Sequence, residues 1–90
     1  MIRVFVVDDQ ALVRSGLCSL LALADGVQVV GEAERGDAAL ATLAELAPPA
    51  DVVLADVRMP GMDGIEVAQH LQKLQPPPAV IFTTAYDAYA

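Results

Sequence analysis

The run Asp51–Asp56, DVVLAD, constrains the fold more than any other stretch of the chain. Successive side chains of a strand point to opposite faces, so Val52, Val53, Leu54 and Ala55 make both faces apolar. A strand apolar on both faces has to be covered on both, which is the condition of a central strand in a parallel sheet flanked by helices. The run ends in a carboxylate, Asp56, followed by the loop VRMPGMDG. That position, the carboxyl end of a buried strand, is where open α/β folds keep their sites.

The rest of the chain supplies the partners such a strand needs. Ile2–Val7 is a short β-branched run, read as a buried strand that ends in Asp8-Asp9. A helix is predicted over Ala11–Leu23, with Val13, Leu17, Leu20, Leu21 and Ala24 on its apolar face and Arg14 and Ser15 off it. Asp25-Gly26 is a turn signal, Val27–Gly31 a second strand, and Glu32 to Arg35 a polar loop. A second helix is predicted over Ala38–Ala47, with Ala39, Leu40, Leu43, Leu46 and Ala47 inward, stopped by Pro48-Pro49. Asp63 and Glu66 are spaced as an Asp variant of the capping box, opening a third helix over Gly64–Leu74 with Val67, Ala68, Leu71 and Leu74 inward. After the stiff Pro76-Pro77-Pro78 connector, Ala79–Thr83 is a fourth strand, and Tyr86–Ala90 could begin a helix. The order βαβαβαβ with short connections and right-handed crossovers predicts one α/β domain, a doubly wound parallel sheet with helices on both faces.

Composition excludes several classes. Net charge is −7, the wrong sign for direct nucleic-acid contact. No apolar run approaches the ~20 residues of a membrane helix, and charges interrupt the start where a signal peptide would stay apolar. The single cysteine, Cys18, forms no internal disulfide, suits a reducing compartment and is read as inert packing. No G-x-G-x-x-G or G-x-x-x-x-G-K-[ST] occurs, which disfavours a nucleotide-binding module. His70 is read as a solvent-facing residue, Lys73 as a solvated helix-end cation, and Tyr86 and Tyr89 as one helix face.

With strand order 2-1-3-4, strands one and three are neighbours, so Asp8, Asp9 and Asp56 are expected within about one strand spacing, ~5 Å, of one another. Three such acids repel, and a divalent cation relieves the repulsion; oxygen-only ligands favour Mg2+. A Mg2+-dependent phosphatase with an Asp nucleophile is the enzymatic alternative, but that class wants D-x-D after the first strand, and here the two acids are adjacent.

VVDD at Val6–Asp9, DVVLADVRMPGMDG at Asp51–Gly64 and TTA at Thr83–Ala85 together resemble the receiver domain of two-component response regulators. The resemblance implies a flavodoxin-like sheet and a phosphoacceptor switch rather than an enzyme. It implies Asp56 as phosphoacceptor, Asp9 and Asp56 as direct Mg2+ ligands, Asp8 acting mainly through water, and the backbone carbonyl of Arg58 as a further ligand position. Thr84 matches the switch hydroxyl, and Met59-Pro60 and Gly64 the loop that shapes the pocket. A sensor histidine kinase is the implied partner, and the cytoplasm the implied location. Receiver domains normally have five strands and five helices, so residues 1–90 are expected to be a receiver incomplete at its C-terminus, ending before the fourth helix, fifth strand and fifth helix. No residue here matches the family's lysine at the end of strand five. A non-phosphorylated interaction fragment with an idle acid pocket is therefore a further alternative. The uncovered fourth strand predicts self-association. The tail TTAYDAYA resembles regulators with a LytTR-type output domain, while IRVFVVDDQALVRSGL resembles regulators with helix-turn-helix outputs; the tail is given more weight.

Overall fold

The structure, a computed structural model, describes residues 1–83. Its elements are β1 (Ile2–Val7), α1 (Ala11–Ala22), β2 (Val27–Ala33), α2 (Gly36–Glu45), β3 (Val52–Asp56), α3 (Gly64–Leu71) and β4 (Ala79–Thr83). The four strands form one sheet in the order β2-β1-β3-β4. All three pairings are parallel, with Val7 beside Ala55 and Asp56 beside Thr83. The doubly wound α/β fold read from the sequence is the fold observed.

The main core lies between one face of the sheet and helices α2 and α3. Phe5 and Val7 of β1 and Val53 and Ala55 of β3 meet Ala39 and Leu43 of α2, Val67 and Leu71 of α3, and Met59 of the loop between β3 and α3. On the opposite face Val4 and Val6 are buried, whereas Val52 and Leu54 are half-buried. The entry to β3 is tied to β1 at the amino edge of the sheet. The backbone N–H of Arg3 donates to Asp51 Oδ2 at 2.8 Å, and its guanidinium donates to the carbonyls of Pro48 and Pro49.

Helix α1 departs from the expected packing. No residue of α1 is fully buried. Its covered stripe is Arg14, Leu17, Cys18 and Leu21, while Val13, Leu20 and Ala24 are exposed. The helix is apolar almost all round, so periodicity alone does not single out a face. Placement over β1 and β2 does, and it turns Arg14 inward.

Strand β2 extends two residues further than its apolar run. Glu32 and Ala33 pair with Val6 and Val7 through backbone bonds that do not depend on side-chain polarity. Helix α2 starts earlier, at Gly36, and ends at Glu45, because Leu46 is already extended (ψ 125°) ahead of the two prolines. Helix α3 ends at Leu71. The N–H groups of Lys73 and Leu74 reach back only three residues, tightening the chain before the triple proline. Leu74 still packs against the core.

The N-terminus of α3 is built as expected. The Asp63 carboxylate accepts from the Glu66 N–H at 2.9 Å, and the Glu66 carboxylate accepts from the Asp63 N–H, closing the capping box. This end lies directly on the end of β3. The Gly64 N–H donates to the Val57 carbonyl at 3.1 Å. A Cβ on Gly64 would collide with the carbonyl group of Asp56, backbone that cannot turn away as a side chain can.

Two glycine substitutions should therefore have opposite signs. Gly64→Ala should cost about 1–3 kcal/mol, as overpacking of a close contact does. Gly16→Ala, inside α1 with open space around it, should gain about 0.5–1 kcal/mol. Urea unfolding of the two variants beside wild type checks both; a stabilised Gly64→Ala would contradict the close approach of α3 to Asp56.

Candidate metal centre

The carboxyl edge of the sheet gathers three acids from two strand ends. Asp8 and Asp9 follow β1, and Asp56 closes β3, its immediate neighbour. One carboxylate oxygen from each of Asp8, Asp9 and Asp56 lies within 4.8 Å of the others. Asp8 and Asp56 are buried, at 2% and 1% exposure, while Asp9 is half-buried at the mouth.

Backbone donors orient the two buried carboxylates. Asp8 Oδ1 accepts from the Gln10 N–H at 2.9 Å, and Asp56 Oδ1 accepts from the Arg58 N–H at 3.1 Å. Both are Asx-type turns, in which a side chain bonds the backbone two residues on. In each case Oδ1 is engaged by the turn, and among the described residues Oδ2 accepts no hydrogen bond.

Burial dominates the electrostatics of Asp8. Burial pushes its carboxyl above the usual carboxylate range; the Gln10 N–H opposes this, Asp56 and Asp9 reinforce it, and Arg14 draws it down.

The donor set fits a hard divalent cation. It is all oxygen, and its spacing approaches what octahedral Mg2+ requires, where opposite ligands at about 2.1 Å from the metal stand about 4.2 Å apart. An acidic cluster of this kind is typical of the Mg2+ site of receiver domains. The backbone carbonyl of Arg58 belongs to the loop that leaves Asp56, while the Arg58 side chain is exposed. Thr84 lies outside the described residues, as do Tyr86 and Tyr89; the neighbouring Thr83 pairs with Asp56, and its carbonyl accepts from the Val57 N–H at 3.2 Å. His70 and Lys73 are exposed, as read from the sequence.

Three groups that surround the acids have no motif to mark them. Gln10 acts through its backbone N–H, which side-chain identity does not report. Arg14 and Glu32 bond each other at 2.8 Å across α1 and β2. The only hint in the sequence is a cation placed six residues after Asp8, on a helix with no other charged residue.

The model of the response regulator receiver domain matches residues 4–90. Among curated relatives, response regulator GacA of Pseudomonas viridiflava is 49% identical over 87 residues, 97% of this chain and 40% of that protein. The sensory transduction protein LytT of Bacillus cereus is 41% identical over 90 residues, all of this chain and 36% of its own length. Among solved structures, the signal receiver domain of NarL from Mycobacterium tuberculosis superposes with a TM-score of 0.84 at 44% identity, covering 96% of this chain and 68% of that one. The chain thus spans about two-fifths of the length of the curated relatives it matches. Sheet order and acidic cluster define a receiver-type signalling domain, not a classical enzyme. The chain belongs to the response-regulator receiver domain family.

The raised pKa of Asp8 sets the sign of a pH effect. A carboxyl whose pKa is higher in the folded than in the unfolded chain binds its proton more tightly when folded. Its contribution is present at low pH and lost as pH rises through the folded pKa. Asp8→Asn keeps the acceptor for Gln10 and never ionises. In EDTA at neutral pH it should melt above wild type, by about 4–8 °C for each ~1 kcal/mol of strain relieved. The gap should narrow toward pH 4. Thermal melts at both pH values check this, and a variant that melts below wild type in EDTA would contradict it.

Proposed function

We propose that this chain is the phosphoacceptor of a two-component relay, with Asp56 taking a phosphoryl group from a sensor histidine kinase. The observation that carries the reading is the buried Asp56 at the end of β3, within one ion's reach of Asp8 and Asp9. Asp56 Oδ1 is held by the Arg58 N–H, which leaves Oδ2 to attack phosphorus. The new bond is an acyl phosphate; the bond that breaks joins phosphorus to the donor's imidazole nitrogen, and the electron pair leaves with the imidazole. Asp8, Asp9, Asp56 and the Arg58 carbonyl are the residues proposed to hold Mg2+, with Asp8 acting mainly through water. The ion, when bound, offsets the charge of the acids and of the phosphoryl oxygens.

Phosphorylation adds up to about two negative charges at this edge. Thr84 is proposed to donate its hydroxyl to a phosphoryl oxygen. Because Thr83 pairs with Asp56, a pull on Thr84 is passed to β4, and the modification becomes a conformational signal. The signal is proposed to pass to a transcriptional output domain outside residues 1–90. Similarity to LytT over all 90 residues is what supports the LytTR-type reading of the tail. The receiver domain is proposed to span residues 1–90 and continue beyond them, and the setting to be cytoplasmic. Net charge of −7 speaks against direct nucleic-acid contact by this segment, and no described helix is long and apolar enough to cross a membrane.

Incubation with Mg2+ and a small phosphodonor should raise the intact mass by one phosphoryl group, and Asp56→Asn should abolish the adduct. Adduct surviving in Asp56→Asn would reassign the nucleophile. A folded, Mg2+-binding protein that keeps its unmodified mass would favour the idle-pocket reading.

Self-association is proposed through β4, an edge of the described sheet. Ile81 and Phe82 on its two faces are 54% and 44% exposed. Sedimentation velocity over rising concentration should show species larger than the monomer, and a single monomer boundary throughout would reject this.

A further inference from the structure

Asp8 follows β1 and begins the acidic cluster, and its polar groups are held from three directions. Its N–H donates to the Ala33 carbonyl at 3.1 Å. Its carboxylate accepts from the Gln10 N–H at 2.9 Å. Its carbonyl accepts from Arg14 Nη1 at 2.7 Å. The same guanidinium donates through Nε to Glu32 Oε1 at 2.8 Å. Glu32 and Ala33 are consecutive residues of β2. A closed ring therefore runs from Asp8 to Ala33 and Glu32 on β2, across to Arg14 on α1, and back to Asp8. The Arg14 side chain is only 16% exposed, against 49% for Glu32.

We propose that Arg14 is a positioning residue for the metal centre, fixing the backbone of Asp8 and so the carboxylates of Asp8 and Asp9, with Glu32 as its anchor on β2. The inference rests on the Mg2+ reading of the acidic cluster. Exposed ion pairs hold little on their own. Arg14 differs because it is mostly covered and because one of its two bonds ends on the backbone that carries the acids. A fork with fixed donor directions can bridge a carboxylate and a carbonyl at once; a single ammonium on a flexible stem cannot reproduce that geometry.

Charge and geometry make opposite demands on this residue, which lets one experiment separate them. The guanidinium of Arg14 sits 2.7 Å from the Asp8 carbonyl, so its positive field reaches the acids. A cation there repels Mg2+, so a purely electrostatic role requires Arg14→Gln to bind Mg2+ more tightly. A positioning role requires the reverse. It also requires Arg14→Lys to bind more weakly with its charge retained.

The test is an NMR-followed Mg2+ titration of the purified protein, reading the amides of Asp8, Asp9 and Gln10, with melting in EDTA measured on the same samples. Arg14→Lys and Arg14→Gln should each weaken Mg2+ by about 10-fold, the low end for groups that orient metal ligands. Glu32→Gln should weaken it less. The Arg14→Gln/Glu32→Gln double variant should be no weaker than Arg14→Gln alone, because both act through one ring. Should Arg14→Gln fold poorly, Arg14→Lys and Glu32→Gln carry the comparison.

Wild-type affinity in Arg14→Lys would overturn the proposal, and so would tighter binding in Arg14→Gln. Lower melting temperatures with unchanged Mg2+ affinity would make the ring merely structural. Wild-type protein that takes up no Mg2+ would remove the reading of the cluster and this role together.

Discussion

Repulsion among three carboxylates at one edge of the sheet is the constraint that the rest of the structure answers. Two unit charges 4.8 Å apart repel by about 3–4 kcal/mol at an effective dielectric constant of ~20. A domain of this size holds together by only about 5–15 kcal/mol. Such a cluster survives only where protons, donors or a cation offset it. The fold supplies donors from its own backbone: the Gln10 N–H on Asp8 and the Arg58 N–H on Asp56. Burial works against them and raises the Asp8 pKa. The metal-free site is therefore under strain, and a divalent cation has something to relieve.

The rigidity that keeps the acids together comes from the face of the sheet covered by α2 and α3. Phe5, Val53, Ala55, Val67 and Leu71 form a core with almost no exposure. Helix α3 starts on the backbone of Asp56 itself, with glycine as the only residue that fits. Displacing Asp56 would mean displacing the end of β3 and the beginning of α3, so repulsion cannot be relaxed by moving the strand.

The α1 side is held in a different way. It buries no α1 residue fully, so packing alone does little to fix the turn that carries Asp8 and Asp9. Polar bonds take over that task, with Arg14 linking α1 to β2 and to the Asp8 carbonyl. Cys18 sits on the same stripe, and burial together with Glu32 pushes its thiol up, away from the thiolate form.

Fold class, strand order, the capping box at Asp63 and the meeting of Asp8, Asp9 and Asp56 could all be read from the amino acids. Fold class and the capping box rest on local patterns, apolar runs of strand length and turn residues at fixed offsets; strand order, and with it the meeting of the acids, rests on the doubly wound topology that the resemblance to receiver domains implies. The orientation of α1 could not, because a helix with Leu12, Val13, Leu17, Leu20, Leu21 and Leu23 offers several apolar stripes of similar quality. Nor could the last two residues of β2, since Glu32 looks like loop until β1 pairs with it. Local chemistry names the parts and their order along the chain. Which stripe of α1 turns inward, and so whether Arg14 reaches Asp8 and Glu32, is settled only when β1 and β2 lie side by side, because that contact joins residues 18 positions apart.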